Sequence, residues 1–372
     1  MKKTYKKLLP TALVLAAMLG IAPAHAQGDT KAELIAMAKE MKPFSMRVLG
    51  PPVGTAEWVF VVQPFWTQAV KEISDGKVTA TLNSVTDISA QPQDALQLVS
   101  QGTFDMTNMV ANYGSGDVPT LDGFDLAGAA TSTEQIKKVL AAYEPAADAA
   151  LKKRYRLELL GAGMSGAQTF FCKGNINTID DFRGKKIRVS SSTLAELVKG
   201  LGAAPVTMAF GELVPALQRG VIDCVITGSM SGNTAKLYEV ADTLYFLIAG
   251  WAPTVQVANA RSLSRLDEKQ RAWLDKAMTY YYREVSDTIQ TSNVNQGVWC
   301  NTADTRCTMV GQSGVTQGKM KLVEPSQQDL AKVREVVEKF VLPAYGRTCG
   351  VDCTRSWNET AGKAIDMQIS TQ

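Results

Sequence analysis

The sequence predicts an α/β protein built from two domains. The 372-residue chain is 45% hydrophobic and 20% charged, which is the composition of an ordinary globular protein. A chain of this length usually builds two domains, each with its own core. After the first 27 residues, short apolar strands alternate with amphipathic helices, the pattern typical of α/β folds.

The first 26 residues have the features of a secretory signal peptide. A basic start is followed by an apolar run from Leu8 to Ile21 and by Ala24-His25-Ala26, a small-x-small cleavage site. Cleavage after Ala26 removes four of the 39 basic side chains and leaves 35 against 36 acidic ones. The mature chain is then nearly neutral, which argues against nucleic acid or an anionic membrane surface as a partner.

The same cleavage removes His25, the only histidine in the sequence. Without histidine the mature chain lacks the base of Ser-His-Asp and Cys-His relays and the imidazole ligands of zinc sites. The sequence also contains no G-x-S-x-G nucleophile elbow and no phosphate-binding P-loop. We therefore expect no enzymatic activity, no metal site and no cofactor.

All six cysteines follow the cleavage site, and an exported chain meets an oxidising compartment. Local spacing favours two disulfides and leaves the remaining cysteines for a third, namely Cys300–Cys307, Cys349–Cys353 and Cys172–Cys224. Free buried thiols are the alternative. A Cys-only zinc site has no Cys-x-x-Cys spacing to support it.

The first unit opens with three strands and two helices, as a doubly wound sheet does. The predicted elements are a strand from Phe44 to Leu49, a helix from Thr55 to Ser74, a strand from Lys77 to Ser84, a helix from Pro92 to Gln101 and a strand from Phe104 to Asn108. Asp122 and Asp125 follow on a Gly-rich segment, where we expect solvated loop residues.

A second unit begins near Arg156. Its predicted strands run from Leu157 to Leu160, Gln168 to Cys172, Ile187 to Val189, Val221 to Thr227 and Thr254 to Ala258. Its predicted helices run from Thr193 to Leu201, Glu212 to Arg219, Asp267 to about Val294 and Gln327 to Phe340, with a Cys-tied loop over 300–321.

Residues 161–166 match the dinucleotide-binding pattern G-x-G-x-x-G. That motif needs a helix to open on its glycines, whereas Thr169-Phe170-Phe171 follows here and has the chemistry of a strand. We therefore interpret the glycines as a flexible crossing between the two domains.

Arg188 lies inside the apolar strand Ile187–Val189. Burying an unpaired guanidinium costs several kcal/mol, so this side chain needs an anion. The anion is either a protein carboxylate in a structural ion pair or a ligand carboxylate held by the planar fork of the guanidinium. The residues alone leave both open.

Four ordered blocks surround this arginine: Gly184-Lys-Lys-Ile-Arg-Val189, Leu201-Gly-Ala-Ala-Pro-Val206, Met208-Ala-Phe210 and Ala216-Leu-Gln-Arg-Gly-Val-Ile-Asp223. They resemble the signature of the DctP-type solute-binding subunits of tripartite ATP-independent periplasmic (TRAP) transporters. The resemblance extends over most of the mature chain. It implies a periplasmic-binding-protein-like fold of two α/β lobes with a long inter-lobe helix, closing on an organic acid.

The resemblance also implies a function and a division of the chain. The function is that of a periplasmic receptor that delivers its ligand to the TRAP membrane permease. On this fold we expect lobe I to comprise 27–165 and 254–297, and lobe II to comprise 166–253 and 298–372. A binding protein of an ATP-driven importer, a sensor-coupled binding protein and an exported enzyme with Arg188 as a carboxylate clamp remain as alternatives.

The resemblance places the ligand site residue by residue. Arg188 takes the position that pairs with the ligand carboxylate, Phe210 takes a pocket-wall position whose alternative is plain core, and the segment Thr227-Gly228-Ser229 supplies polar groups. The remaining candidates for ligand contact are Gln168, Asn108, Trp58 and Trp251, with Phe170 as a further aromatic wall.

Two departures from the family pattern narrow the ligand. Sialic-acid binders have a second arginine where this chain has Gln168, and some 2-oxoacid binders have a metal-binding acid where it has Ile226. We therefore expect no bound cation. The expected ligand is a monocarboxylate with an apolar or aromatic body.

Overall fold

The computed structural model describes residues 26–370. Apart from Ala26, the predicted signal peptide lies outside the described residues. The described chain begins with the helix Ala26–Lys39 and contains two mixed sheets. Within this part of the chain, no helix combines the length and the apolar character needed to cross a membrane.

The first sheet has five strands in the order β2-β1-β3-β10-β4. These strands are β1 (Phe44–Gly50), β2 (Val78–Ser84), β3 (Met106–Val110), β4 (Leu157–Met164) and β10 (Pro253–Asn259). Strand β1 is parallel to β2 and β3, whereas β10 is antiparallel to both of its neighbours. Strand β10 thus comes late in the sequence but lies between β3 and β4, which both precede residue 165.

The second sheet has six strands in the order β11-β9-β5-β8-β6-β7. These strands are β5 (Gln168–Cys172), β6 (Lys186–Val189), β7 (Ala204–Thr207), β8 (Cys224–Gly228), β9 (Thr243–Gly250) and β11 (Lys321–Val323). The predictions include neither β7 nor β9, and β8 begins at Cys224 rather than at Val221. Two short crossings, over 165–167 and over 251–252, connect the sheets, and the chain passes from the first sheet to the second once more between β10 and β11.

Two long helices carry residues that matter for the site. The first, which we name the cleft helix, spans residues 56–73 and includes π-helical turns at Trp58–Val62 and Phe65–Ala69. The second, which we name the long helix, spans residues 268–301 and has a π-helical segment at Tyr281–Ser286. It begins at a capping box of Asp267 and Gln270 and continues past the predicted end near Val294.

The 23-residue helix Thr133–Tyr155 is not among the predicted elements. It starts where Ser132 accepts a hydrogen bond from the Gln135 amide and ends at Arg156, whose φ is 57°. The other α-helices are Ala95–Ser100, Ser192–Gly200, Leu213–Gln218, Ser229–Thr234, Ala260–Leu263, Gln327–Val336, Leu342–Cys349 and Val351–Trp357.

The glycines of the G-x-G-x-x-G pattern have a packing role. Gly161 and Gly163 lie in β4, and a Cβ at these positions would come within 2.6 and 2.7 Å of the Tyr282 ring. The prediction of a flexible crossing was therefore wrong for residues 161–164. Only residues 165–167 form the crossing, and the glycines let the long helix approach the sheet closely.

The expectation for Asp122 and Asp125 was also wrong, because both side chains are buried. Asp125 accepts hydrogen bonds from the Trp251 amide at 2.8 Å and the Ala252 amide at 3.2 Å. Asp122 accepts one from the side-chain amide of Asn112 at 2.9 Å. Burial raises the pKa of Asp125 to about 7. These carboxylates hold the second crossing and a neighbouring loop in place.

The cysteine predictions are confirmed, since the structure forms disulfides at Cys172–Cys224, Cys300–Cys307 and Cys349–Cys353. The first of them joins directly opposed residues of the antiparallel pair β5 and β8. The second ties the loop that follows the long helix.

Candidate functional site

A cleft lies where the two sheets meet, beside both crossings. From the side of the first sheet it is lined by Pro51, Pro52, Thr55, Glu57, Val110 and Tyr113. From the crossings and the second sheet it is lined by Ser165, Ala252, Gln168, Arg188, Ser190, Phe210, Thr227 and Ser231. The cavity is about 50 Å³. Ligand sites are usually larger, roughly 300–1,000 Å³.

Arg188 is held on the floor of this cleft by the second sheet. Strand β6 pairs in parallel with β7 and β8, which places Arg188 opposite Val206 and Val225. Its neighbours Ile187 and Val189 are fully buried. Because side chains alternate along a strand, these two cover the core face while Arg188 reaches the cleft.

The Arg188 guanidinium is 2% exposed and donates to two backbone carbonyls. Nε reaches the Met208 oxygen and Nη1 the Ile226 oxygen, each at 3.0 Å. Among residues 26–370, no Asp or Glu forms an ion pair with it. Burial lowers the pKa of Arg188, and the adjacent Tyr113 opposes that shift. The exposed Glu212 acts on it from a distance and instead accepts from the Ala209 amide at 3.0 Å.

The sequence leaves two partners open for Arg188, a protein carboxylate and a ligand carboxylate. In the described part of the chain, no protein carboxylate pairs with it. Backbone carbonyls orient the guanidinium but carry only partial negative charge. An anionic ligand head group would supply the missing charge through a planar, bidentate contact.

Glu57 is the second charged residue of the cleft, and no pattern in the sequence pointed to it. It lies in the first turn of the cleft helix and is 1% exposed. Its oxygens accept from the Gln290 side chain at 2.6 Å and the Tyr281 hydroxyl at 3.2 Å. Burial raises the pKa of Glu57 to about 7, and these two hydrogen bonds oppose the shift.

The one sequence feature that could have pointed to Glu57 is that an acidic residue comes just before the apolar residues of a predicted helix. In sequence it is indistinguishable from the exposed acids that often begin helices. Only the packing of the long helix over this turn shows that the carboxylate is buried.

Four of the predicted contact residues line the cleft together, namely Arg188, Gln168, Phe210 and Thr227. Phe210 is half-buried at the cleft wall. The side chain of Gln168 is buried, and its Oε1 has no hydrogen-bond partner in the described chain. Tyr113, which the sequence did not indicate, adds a second aromatic wall.

The other predicted contact residues do not belong to this lining. Asn108 is fully buried in β3 and donates to the Tyr282 hydroxyl at 3.0 Å. Gly228 ends β8, and Ser229 donates to the Val294 carbonyl at 3.0 Å.

The remaining predicted aromatic residues pack in hydrophobic cores. Trp58 covers Gly50, where a Cβ would come within 2.7 Å of its ring. Trp251 donates from Nε1 to the Ala130 carbonyl at 2.9 Å. Phe170 packs against Phe182, with ring centroids 4.6 Å apart.

Two hydrogen bonds join the cleft walls at their edge. The Ala56 amide donates to Ser231 Oγ at 3.1 Å, and Thr234 Oγ1 donates to the Gly54 carbonyl at 2.7 Å. Gly54 and Ala56 precede or begin the cleft helix, whereas Ser231 and Thr234 lie in the helix after β8. These contacts hold the two walls together.

A larger groove of about 310 Å³ lies elsewhere, between the helix Thr133–Tyr155, β4 and the long helix. Its Lys137 and Asp287 side chains pair with each other at 2.8 Å. Because it offers no buried cation comparable to Arg188 among its lining residues, we place the candidate site in the smaller cleft. No three His, Cys, Asp or Glu side chains of residues 26–370 group to hold a metal ion.

A family model described as bacterial extracellular solute-binding protein, family 7, matches residues 61–345. The ectoine-binding periplasmic protein TeaA of Halomonas elongata is 32% identical over 133 residues, which are 36% of this chain and 39% of that protein. The C4-dicarboxylate-binding periplasmic protein DctP of Rhodobacter capsulatus is 35% identical over 100 residues, 27% of this chain and 30% of that protein. The matches thus span well under half the length of these two relatives.

Solved structures match over more of the chain. A TRAP periplasmic solute-binding protein of Desulfovibrio salexigens with bound orotic acid has a TM-score of 0.73 at 18% identity, covering 87% of this chain and 99% of that one. An extracytoplasmic solute receptor of Bordetella pertussis that binds pyroglutamic acid has a TM-score of 0.72 at 16% identity, with coverages of 87% and 99%. These similarities confirm the predicted two-lobed α/β fold.

Proposed function

We propose a receptor function for this chain, which belongs to family 7 of the bacterial extracellular solute-binding proteins. In this proposal it is a periplasmic, non-enzymatic receptor that captures a small organic acid and delivers it to a TRAP membrane permease. Arg188 binds the carboxylate of the ligand, and no metal or cofactor takes part.

The observation that carries the proposal is that the buried Arg188 pairs with no acid among the described residues. A charge-assisted hydrogen bond contributes about 1.5–3 kcal/mol, and micromolar binding needs about 8 kcal/mol. Burial of the ligand between the walls, against Phe210 and Tyr113, has to provide much of the remainder.

Closure of the cleft provides that burial. The hydrogen bonds between Ala56 and Ser231 and between Thr234 and Gly54 form only when the walls meet. Movement of lobe I (27–165 and 254–297) relative to lobe II (166–253 and 298–372) would open the site and close it over the ligand. The closed form would then be the one that the permease recognises.

Export to the periplasm has two supports. The first is the signal-peptide pattern of residues 1–26, and the second is the pairing of all six cysteines as disulfides. The printed ligands of the two structural neighbours, orotic acid and pyroglutamic acid, are organic acids and fit the same ligand class.

A thermal-shift screen of organic acids tests the proposal. Acids that bind should raise the melting temperature of the wild-type protein, because saturation at 100-fold over Kd adds about 2.7 kcal/mol of stability. In Arg188→Lys the planar fork is lost and affinity should fall at least about tenfold.

The matched control is Arg183→Lys, since Arg183 is exposed and outside the cleft lining. Its affinity should equal that of the wild type. Unchanged affinity in a correctly folded Arg188→Lys would refute the role of Arg188, and a screen without any stabilising acid would refute the ligand class.

A further inference from the structure

The cleft presents a negative group as well as a positive one. We propose that its ligand is zwitterionic, an amino or imino acid whose carboxylate binds Arg188 and whose protonated nitrogen binds Glu57. This inference rests on the proposed function and adds the second recognition group of the ligand.

The first argument is the charge of the cleft. Of the described residues that line it, Glu57 is the one with a carboxyl group and Arg188 the one with a basic group. They stand on different walls, one on the cleft helix and the other on β6. No ion pair among residues 26–370 joins them to each other or to a third residue. A monoanionic ligand neutralises Arg188 and leaves Glu57 without a counter-charge, whereas a zwitterion neutralises both.

The second argument is the kind of donor that Glu57 meets. Gln290 and Tyr281 both lie on the long helix, and both are neutral. Burial keeps the pKa of Tyr281, and also that of Tyr282, well above 10. Neutral donors satisfy the carboxylate geometrically but do not offset the cost of burying its charge, so its pKa rises to about 7.

The third argument is the buried side-chain oxygen of Gln168, which accepts no hydrogen bond within the described chain. Gln168 lines the same cleft, is 6% exposed, and has its Oε1 buried without a partner in the described chain. A protonated amine carries two or three N–H groups, enough to donate to Glu57 and to Gln168 at once. A ligand without a donor would leave Gln168 unpaired in the closed cleft, which is a basis for strong discrimination.

These arguments modify the ligand expected from the sequence. Phe210 and Tyr113 still provide aromatic walls for an apolar body, but a plain monocarboxylate leaves one charge and one acceptor of the cleft unmet.

Matched series of acids test the inference, each sharing one carbon skeleton. Suitable series are alanine, lactate and propionate; proline and cyclopentanecarboxylate; and phenylalanine, 3-phenyllactate and 3-phenylpropionate. In every series that binds the wild-type protein, calorimetry should show the amino acid binding about ten- to a hundredfold tighter than the acid without nitrogen.

The variant Glu57→Gln removes the charge and keeps the shape. It should abolish the preference for the amino acid while retaining the affinity for the acid without nitrogen. Glu144→Gln is the control, because Glu144 is a partly buried carboxylate that accepts from the Ala162 amide and lines the other groove instead. It should keep the wild-type preference.

The wild-type protein supplies a test that needs no variant. Calorimetry near pH 7 in buffers of different ionisation enthalpy reports the protons exchanged on binding. A cationic nitrogen beside Glu57 lowers the pKa of that carboxyl, so an amino acid should release protons. The other groups facing Glu57 are Tyr281 and Tyr282, which stay neutral, and Arg188 lines the same cleft and stays charged.

Each outcome decides the inference. Equal or tighter binding of the nitrogen-free acids overturns it, as does an intact preference in Glu57→Gln. Hydroxy acids that match the amino acids would show that a neutral donor suffices, and would overturn the cationic class. Tight binding of nitrogen-free acids that is lost in Arg188→Lys would sustain the proposed function while the zwitterion inference falls.

Discussion

Asp105 and Glu57 are both almost fully buried carboxylates of the first unit, yet their surroundings are opposite. Arg47 donates to Asp105 from its amide and its guanidinium, and Arg265 and Ser262 donate to Oδ1 at 3.0 and 2.7 Å. Burial alone would raise the pKa of Asp105, but the hydrogen bonds from Arg47 and Ser262 hold it at about 2. Glu57 has neutral donors, and its pKa is about 7.

The contrast separates two uses of a buried charge. Asp105 is a structural group, because two cationic side chains of the same chain complete its surroundings. Glu57 and Arg188 meet no counter-charge in the described part of the chain, which makes their charged forms costly to bury. Such incomplete sites are where an incoming ligand gains the most, and strongly shifted pKa values concentrate there.

The largest expected effect is on the pH dependence of stability. The folded pKa of Glu57, about 7, lies above its ordinary value of 4.5, so the folded state holds this proton longer than the unfolded state. Stability should therefore fall as pH rises from about 4.5 to 7, by about 3 kcal/mol from this group.

Denaturant unfolding of the wild-type protein and Glu57→Gln across pH 4–8 measures this effect. The variant should lose less stability over the range. Asp125, whose pKa is also raised to about 7, contributes to both proteins, so the difference between the two curves isolates Glu57. If stability fell equally with pH in the wild-type protein and in Glu57→Gln, the contrast between Glu57 and Asp105 would be contradicted.

The next largest effect concerns Asp105, which pairs with Arg47 and Arg265. Asp105→Asn should lower the free energy of unfolding at pH 7 by about 1.5–3 kcal/mol, because it replaces charged hydrogen bonds to Arg47 and Arg265. Ligand affinity should be unchanged.

The control is Glu335→Gln, which breaks the exposed pair with Lys339 and should cost much less stability, because exposed ion pairs contribute little. Urea denaturation compares the two variants. Equal losses would remove the distinction between the buried and the exposed pairs.

The smallest effect tests closure of the cleft. Thr234→Val removes the hydrogen bond to the Gly54 carbonyl, which is worth about 0.5–1.5 kcal/mol. Because that bond joins the two walls of the cleft, the proposed closure predicts that affinity for a bound acid falls about two- to tenfold.

The control here is Thr348→Val, whose hydroxyl donates to the Ala344 carbonyl within one exposed helical turn. Calorimetry should show wild-type affinity for it. An unchanged affinity in Thr234→Val would mean that this contact does not stabilise the closed form.

Some features followed from the sequence because they are local. The apolar residues on both sides of Arg188 predicted a buried guanidinium, and the structure confirms it. Strand β5 has the predicted bounds, because its apolar run ends at clear turn residues. The disulfides Cys300–Cys307 and Cys349–Cys353 followed from short spacings, whereas the pairing of Cys172 with Cys224 was left open by the sequence and comes from the alignment of β5 with β8.

Other features were missed because they depend on distant parts of the chain. The burial of Asp122 and Asp125 comes from packing against residues 112 and 251–252, which no periodicity reports. Glu57 meets Gln290 across 233 positions of sequence. Trp58 and Trp251 look the same in sequence whether they line a cleft or fill a core.

The sequence by itself determined the two-lobed α/β class, the family and the position of Arg188 in an apolar strand, since strand alternation and block order are properties of consecutive residues. Only the tertiary structure decided that no described acid pairs with Arg188 and that Glu57 lies in the same cleft. The physical reason is that both facts depend on which side chains the two short crossings and the long helix bring together. The free-energy cost of burying a charged group is set by those neighbours.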